Sequence, residues 1–308
     1  MRVGPLRLWA MAALLSIASA RAASFADGVE VTKLPAFLNE VSGLAESRTN
    51  AGVFWVHNDS GDRPRVYAFN RAGAWLGRYT LRGATAVDWE DMAIGPAGGG
   101  RSYLYLADIG DNSARRSSVR VYRVAEPVVH TNQSPVTGTL SVVTRYDFRY
   151  PDGPRDAEGF MVDPLTGDFY VVSKREPDGN RLYRSVSPSD RALNMLERVG
   201  TFSTTGTTGA DISPDGLQVL IRRYSSIVDT SSPPARAASY WRRPDASMSL
   251  VTLLAQPGQT VRLVAEAQGE AIAFAADNRG FYTTGEHGSR PGETTTQAVV
   301  TFYAMVAP

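Results

Sequence analysis

Glu158-Gly-Phe-Met-Val-Asp-Pro-Leu-Thr-Gly-Asp-Phe-Tyr-Val-Val-Ser-Lys174 decides the fold. It reads as a strand, a tight turn and a second strand. Apolar residues fill both arms, and Asp163-Pro-Leu-Thr-Gly167 places Pro and Gly where a tight turn uses them. The same frame returns four times. Ser42-Gly-Leu-Ala-Glu46 leads to Val53-Phe-Trp-Val-His57, and Glu90-Asp-Met-Ala-Ile-Gly-Pro96 leads to Tyr103-Leu-Tyr-Leu-Ala107. Thr208-Gly-Ala-Asp-Ile-Ser-Pro-Asp-Gly216 leads to Gln218-Val-Leu-Ile-Arg222, and Glu270-Ala-Ile-Ala-Phe274 leads to Gly280-Phe-Tyr-Thr-Thr284. The frame starts at 42, 90, 158, 208 and 270, in steps of 48, 68, 50 and 62 residues. Internal repetition at such a period is the signature of a repeat architecture.

Each pair is followed by a third strand holding an aromatic: Arg65–Phe69, Val119–Arg123, Arg181–Arg184, Ala238–Trp241 and Ala298–Tyr303. A fourth follows in the first four units: Trp75–Leu81, Val142–Tyr150, Leu196–Phe202 and Thr260–Val264. Four antiparallel strands repeated radially make a β-propeller. The fifth unit runs out of chain after three strands. Val29-Glu-Val-Thr-Lys33 supplies the missing one, because an unclosed ring leaves a free edge that invites aggregation. The expectation is an all-β, five-bladed propeller closed by an N-terminal strand. Six blades is the alternative, since the longer steps have room for extra strands. Glu126–Gly138 reads as an insertion, and Ser247–Ala255 as a short helix.

The remaining composition narrows the class. The chain has 308 residues, 43% hydrophobic and 20% charged, which excludes a disordered protein. Lys and Arg number 32 against 31 Asp and Glu, so no global charge favours nucleic acid. Cysteine is absent, which removes disulfides, thiolate metal sites and cysteine nucleophiles together. Arg2 and Arg7, the apolar run Leu8–Ala20 and the small residues of Ala18-Ser-Ala-Arg-Ala22 have the order of a secretory signal. That run is too short to span a bilayer. Residues 1–22 are therefore expected to be a leader, and 23–308 a single propeller domain, periplasmic or secreted. No segment asks for a second copy, and a monomer is expected.

The repeats also sort the polar residues. In a propeller the innermost strands line a central channel, and the loops leading into them share one face with the loops joining the second and third strands. The first frame position reads Ser42, Glu90, Glu158, Thr208 and Glu270. Two residues earlier stand Glu40, Asp88, Asp156, Gly206 and Gln268. Carboxylates converging on a narrow channel repel, so they need a cation or raised pKa values. Oxygen ligands without Cys, and with three His in the chain, favour Ca²⁺ or Mg²⁺ over Zn²⁺. The loops His57-Asn-Asp-Ser-Gly-Asp62 and Ala107-Asp-Ile-Gly-Asp-Asn112 add Asp59 and Asp108 as further donors. The metal set is thus Glu90, Glu158, Glu270, Asp59 and Asp108. Turns also use Asp, Asn and Gly for purely conformational reasons.

Lys174, Arg175 and Arg222 lie in or beside the same loops and suit an anionic group of a substrate. Glu158, Asp156 and His57 are the candidates for acid–base work. A histidine at a strand end also has an ordinary structural reading. No Gly-x-Ser-x-Gly elbow, P-loop or His-Glu-x-x-His is present.

The frame Asp156-Ala-Glu-Gly-Phe-Met-Val-Asp-Pro164 and the opening Val41-Ser-Gly-Leu-Ala45, followed by His57-Asn-Asp-Ser-Gly61, resemble the exported bacterial propellers grouped as phytase-like (esterase-like) and SdiA-regulated proteins. Related propellers include calcium-dependent phytases, lactonases and paraoxonase-like esterases. The resemblance implies a Ca²⁺ over the channel, with Glu90, Glu158 and Glu270 as ring ligands and Asp59 and Asp108 as helpers. Ser42 and Thr208 interrupt the acidic ring, and the resemblance supplies no catalytic residue.

Three functions fit. The first is a cell-envelope protein that binds a small-molecule or envelope ligand at a cation-holding channel mouth. The second is a Ca²⁺-dependent hydrolase of a phosphate ester or lactone. The third is a carbohydrate-active lyase or glycosidase, which needs aromatic subsites; Trp55, Trp89 and Tyr224 are the candidates.

Overall fold

The computed structural model describes residues 23–224, 236–266, 268–287 and 297–307. The leader expected at 1–22 lies outside the described residues. Two strands come first, β1 (Ser24–Phe25) and β2 (Val29–Lys33). Blade 1 is β3 (Val41–Glu46), β4 (Val53–Asn58), β5 (Arg65–Asn70) and β6 (Trp75–Leu81). Blade 2 opens with β7 (Trp89–Gly98), β8 (Arg101–Asp108) and β9 (Val119–Ala125); the chain then forms β10 (Val136–Leu140) before β11 (Val143–Arg149) completes the blade. Blade 3 is β12 (Ala157–Val162), β13 (Phe169–Ser173) and β14 (Arg181–Ser185), joined after the short β15 (Leu193–Met195) by β16 (Glu197–Thr201). Blade 4 is β17 (Thr207–Ile212), β18 (Gln218–Tyr224) and β19 (Arg236–Arg242), then α1 (Leu250–Leu254) and β20 (Gln259–Arg262). Blade 5 is β21 (Gln268–Phe274), β22 (Gly280–Glu286) and β23 (Val299–Ala307).

The innermost strands β3, β7, β12, β17 and β21 pack one against the next, and β21 returns to β3. The result is a five-bladed propeller. The N-terminus closes it as the sequence predicts. β2 pairs antiparallel with β23, Val29 opposite Phe302 and Lys33 opposite Val299, and β1 extends that edge with Phe25 opposite Met305.

The longer steps hold edge decoration and not a sixth blade. β10, which begins within the stretch read as an insertion and ends just past it, lies parallel to β6 with Val136 opposite Gly77 and Leu140 opposite Leu81, giving blade 1 a fifth strand. A side chain at Gly77 would meet the Val136 carbonyl oxygen at 2.6 Å, so glycine permits this approach. β15 adds in the same parallel way to β11 of blade 2. In blade 4 the extra length includes α1, capped by Ser249, whose hydroxyl accepts from the Thr252 amide.

The core is divided into five apolar clusters, one for each pair of adjacent blades. Trp55, Leu76 and Val66 of blade 1 meet Met92 and Leu104 of blade 2. Tyr105 and Val121 meet Phe160 and Phe169 between blades 2 and 3. Val172 and Leu182 meet Val219 and Trp241 between blades 3 and 4, and Leu220 and Tyr240 meet Ile272 and Phe281 between blades 4 and 5. Tyr282 and Val300 meet Phe54 and Val56 where blade 5 returns to blade 1. Each blade buries both faces, which is why β3, β12 and β17 are buried at every residue. Burying each large apolar side chain contributes roughly 1.5–3 kcal/mol, and the gain requires a neighbour on both sides.

Buried carboxylates tie the inner strands together. Asp91 is fully buried; its Oδ1 accepts from the Met92 amide at 2.8 Å, and its Oδ2 from Phe160 at 2.8 Å and Ala210 at 3.0 Å. One side chain thus links blades 2, 3 and 4. Asp211 does the same from blade 4 to the Phe274 amide of blade 5 at 2.7 Å, and Glu46 reaches the Ala276 amide at 2.9 Å from blade 1. Asp91→Ala leaves three buried N–H groups without an acceptor, each costing about 1–3 kcal/mol. Urea unfolding should show a loss of roughly 3–5 kcal/mol, with Asp91→Asn, which keeps one acceptor oxygen, in between. A loss below about 1 kcal/mol would remove Asp91 from this role.

Candidate functional site

One backbone irregularity builds the channel mouth, and it occurs in all five blades. The pairing of innermost with second strand skips one residue near its start: between Val41 and Gly43, Trp89 and Asp91, Ala157 and Gly159, Thr207 and Gly209, and Gly269 and Ala271. The skipped residues are Ser42, Glu90, Glu158, Thr208 and Glu270, the five first positions of the sequence frame. A β-bulge leaves its extra residue outside the ladder and re-aims its side chain. The residue that follows is held close to its neighbours. A Cβ on Gly209 would lie 2.8 Å from the Glu270 carbonyl oxygen, and one on Gly159 would lie 3.0 Å from the Thr207 methyl. The two hydroxyl members join adjacent blades: Ser42 Oγ donates to the Glu90 carbonyl at 2.5 Å, and Thr208 Oγ1 to the Gly269 carbonyl at 2.9 Å.

The three glutamates are buried and converge on Lys174 at the end of the second strand of blade 3. Lys174 Nζ donates to Glu158 Oε1. Burial opposes the lysine's charge, but Glu158 and Glu270, with Glu90 behind them, outweigh it and hold its pKa above the usual value. Among the described residues, Glu158 Oε2 has no hydrogen-bond partner.

Around this ring stands a second set of acids. Oxygens of Asp59, Asp88 and Glu90 lie within 4.8 Å of one another, and so do oxygens of Glu90, Asp156 and Glu158. Glu90 belongs to both groups. Gly110 makes room for it, since a Cβ there would collide with Glu90 Oε1 and Asp88 Oδ2. Asp156 has its own partners, accepting from Arg175 Nε and, at 2.9 Å, from the Asp111 amide. Burial, then mutual repulsion with Asp88 and Glu40, pushes Asp59 up to about 6. Burial raises Glu270 to about 7, with Glu286 adding to it, and raises Glu286 to about 7, with Asp59 and Glu40 adding. Glu90 is held well above the usual carboxylate range by burial and by Glu158.

The other residues singled out in the sequence are placed as follows. Asp108 is fully buried and paired with Arg116 at 2.9 Å, while its Oδ1 accepts from the Asp88 amide at 3.1 Å. It supports the mouth from behind and belongs to neither oxygen group. Arg222 is buried: its NH1 donates to the carbonyls of Ala271 at 2.8 Å and Thr284 at 2.6 Å, and its NH2 to Glu266. Those bonds fasten blade 4 to blade 5. His57 is fully buried, edge-on to Trp89 at 5.4 Å, with Nδ1 3.0 Å from the Asn58 carbonyl and burial lowering its pKa. A Cβ on Gly43 would collide with its Nε2, so the ring fills the space beside the bulge. Arg175, 40% exposed, reaches Asp156 and Asn112 and remains open to a ligand at this mouth. Trp55 and Trp89 are buried between blades 1 and 2.

Three acids join the site that the sequence does not mark as ligands, Asp88, Asp156 and Glu286, while Glu270, expected as a ligand, belongs to neither oxygen group. The Asp-x-Glu pattern is the available signal for Asp88. Glu286 stands at a strand end in a turn-like sequence and offers none.

Comparison with known proteins leaves the activity open. No protein-family model matches the chain, and no curated protein matches it. Solved structures do resemble it. Hydrazine synthase of Kuenenia stuttgartiensis is 15% identical with a TM-score of 0.44, over 88% of this chain and 64% of that one. The chain thus spans under two thirds of that protein's length. A Thermus thermophilus protein described as a putative oxidoreductase (glucose dehydrogenase) is 11% identical with a TM-score of 0.49, over 91% of this chain and 100% of that one. A gluconolactonase of Xanthomonas campestris is 13% identical with a TM-score of 0.42, over 91% and 80%. None of these likenesses assigns an activity. Among the described residues no helix is long and apolar enough to cross a membrane.

The raised carboxylates make a signed prediction. Glu270 and Glu286 titrate near 7 in the fold against 4.5 in an unfolded chain, so between those values the folded state binds more protons. Stability in EDTA should therefore be highest below about pH 4.5 as far as these groups are concerned, fall as pH rises to about 7, and level off above. Thermal unfolding of wild type and Glu270→Gln from about pH 5 to 8 tests this. The variant should show the shallower decline, and parallel curves would refute the assignment.

Proposed function

We propose that the protein is an exported β-propeller whose acidic channel mouth holds a divalent cation and presents it to a ligand in the cell envelope. The observation that carries the reading is Glu90, a buried carboxylate shared by two close groups of carboxylate oxygens. Such a group is stable in one of two ways, by keeping protons or by binding a cation. The donors are all hard oxygens and no thiolate exists in the chain, which suits Ca²⁺ first and Mg²⁺ second. Asp59, Asp88, Glu90, Asp156 and Glu158 would hold the ion. Glu270 faces it across Lys174, whose charge offsets part of the ring. Asp108 acts here through Arg116 and the Asp88 amide. Residues 1–22 would direct export and be removed, giving a periplasmic or secreted protein. The short resemblance to phytase-like and SdiA-regulated propellers agrees with this reading.

A Ca²⁺-dependent hydrolase of a phosphate ester or lactone is the second reading. It is favoured by Glu270 and Glu286, whose pKa values near 7 suit proton transfer at neutral pH. A bound cation would polarise a substrate oxygen. Glu158, with one oxygen on Lys174 and the other without a partner among the described residues, and Asp156 beside it are placed to accept a proton. Arg175 is open enough to hold an anionic group. Hydrolysis of an ester, lactone and phosphoester panel should fall with Glu158→Gln; unchanged rates would end this reading.

Metal linkage tests the main proposal directly. The EDTA-treated protein should gain thermal stability with Ca²⁺, by about 2.7 kcal/mol at one hundred times the dissociation constant. Glu90→Gln should remove most of that gain, and Glu270→Gln only part of it. Binding should tighten as pH rises through about 6, because the cation competes with the proton on Asp59. No response to Ca²⁺ or Mg²⁺ at about pH 7.5 would overturn the cation site.

A further inference from the structure

A second recess opens beside the acidic mouth, over blade 1. It has a volume of about 390 Å³, within the roughly 300–1,000 Å³ range of small-molecule clefts. Glu40 and Asn58, the latter next to Asp59, line it together with Asp62, Arg78, Phe37 and Trp75.

Its aromatic lining is exceptional within this chain. Of eleven phenylalanines, Phe37 alone is exposed, at 46%. Of the four described tryptophans, Trp75 alone is not buried. These two rings meet edge to face at 5.4 Å, and Phe37 also touches Tyr67 at 5.7 Å. A fold that buries most of its large rings between blades has left this aromatic pair at a cleft.

The polar lining is equally specific. Asn58 is 9% exposed, its Nδ2 donates to the Phe37 carbonyl at 3.4 Å, and its Oδ1 has no partner among the described residues. Arg78 makes no side-chain hydrogen bond or ion pair among the described residues, and Glu40 uses only its main chain, whose carbonyl accepts from the Asp59 amide at 2.7 Å. Asp62, by contrast, is engaged by Arg65 at 2.5 Å and the Tyr67 hydroxyl at 2.7 Å. Two acids face two arginines, so the recess carries no net charge. The ligand chemistry is therefore uncharged, rich in hydrogen-bonding groups and apolar on one face. A pyranose ring has that character: its C–H face packs on aromatic rings and its hydroxyls take planar amide, carboxylate and guanidinium partners.

We infer that this recess is a carbohydrate subsite that binds a neutral oligosaccharide through Phe37, Trp75, Asn58, Glu40 and Arg78. It deepens the ligand-binding reading by naming the ligand class, and it rests on that reading only in sharing the same face. The cation takes no part in these contacts. The aromatic partners differ from Trp55 and Trp89, which the fold buries.

Isothermal titration calorimetry with chitotriose, maltotriose, cellotriose and xylotriose, with tryptophan fluorescence in parallel, is the test. At least one should bind saturably. Phe37→Ala and Arg78→Ala should each weaken that binding by about tenfold, and Phe37→Ala should lower the unfolding midpoint only modestly because the side chain is about half exposed. Trp75→Phe, which keeps an aromatic ring in place, should weaken binding and remove the fluorescence response. Binding should persist in EDTA and in Glu90→Gln. Failure of the four sugars to bind wild type, or binding indifferent to both Phe37→Ala and Arg78→Ala, would overturn the subsite. Sugar binding without any metal response would overturn the cation site alone, and a metal response without sugar binding would overturn only the subsite.

Discussion

Each sheet of this protein has two apolar faces, and the rest of the structure follows from the need to cover both. A blade cannot satisfy that need alone, and neither can an open stack of five. Only a closed ring gives every face a neighbour, so the short N-terminal strand that completes blade 5 matters to all five interfaces. Closure also forces five inner strands against one another around a narrow axis. Side chains there must be small, as at Gly159 and Gly209, or must bond to the neighbouring backbone. Asp91 takes the second course and joins three blades through one carboxylate.

The same crowding creates the mouth. A bulge at the start of each inner strand releases one residue from the ladder, and fivefold repetition brings the released residues together. With three glutamates among them, the ring concentrates negative charge where burial makes charge costly. Lys174 offsets part of this from the centre, and Arg175 and Arg116 support Asp156 and Asp108 from the rim. The arrangement leaves more carboxylate than fixed cation, and that imbalance is the physical basis for expecting a divalent ion. The recess over blade 1 adjoins this charged centre and differs from it in what governs ligand choice: it is electrically balanced and partly aromatic.

What the sequence determined by itself is what repetition can carry. Strand lengths, turn residues and the recurrence of the frame specify an all-β propeller of five units and predict that Val29–Lys33 closes the last. The first frame position also marks the five bulged residues, because a glutamate, serine or threonine before a small or acidic residue recurs with the period of the blades. Glu90, Glu158 and Glu270 were legible as a group for that reason.

Tertiary structure decided which polar residues face the mouth and which serve the fold. Arg222 and His57 sit in polar loops and strand ends in the sequence, yet Arg222 bonds to main-chain carbonyls of the next blade and His57 fills space beside Trp89. Asp91 looks like a second acid next to Glu90, and only the approach of Phe160 and Ala210 makes it a bridge. β10 reads as an insertion because its partner, β6, lies more than fifty residues earlier. Phe37 and Trp75 carried no signal, since an aromatic in a strand-rich chain is expected to be buried. Periodicity is a local property and survives in one dimension, whereas burial and bonding partners depend on contacts that exist only after the ring has closed.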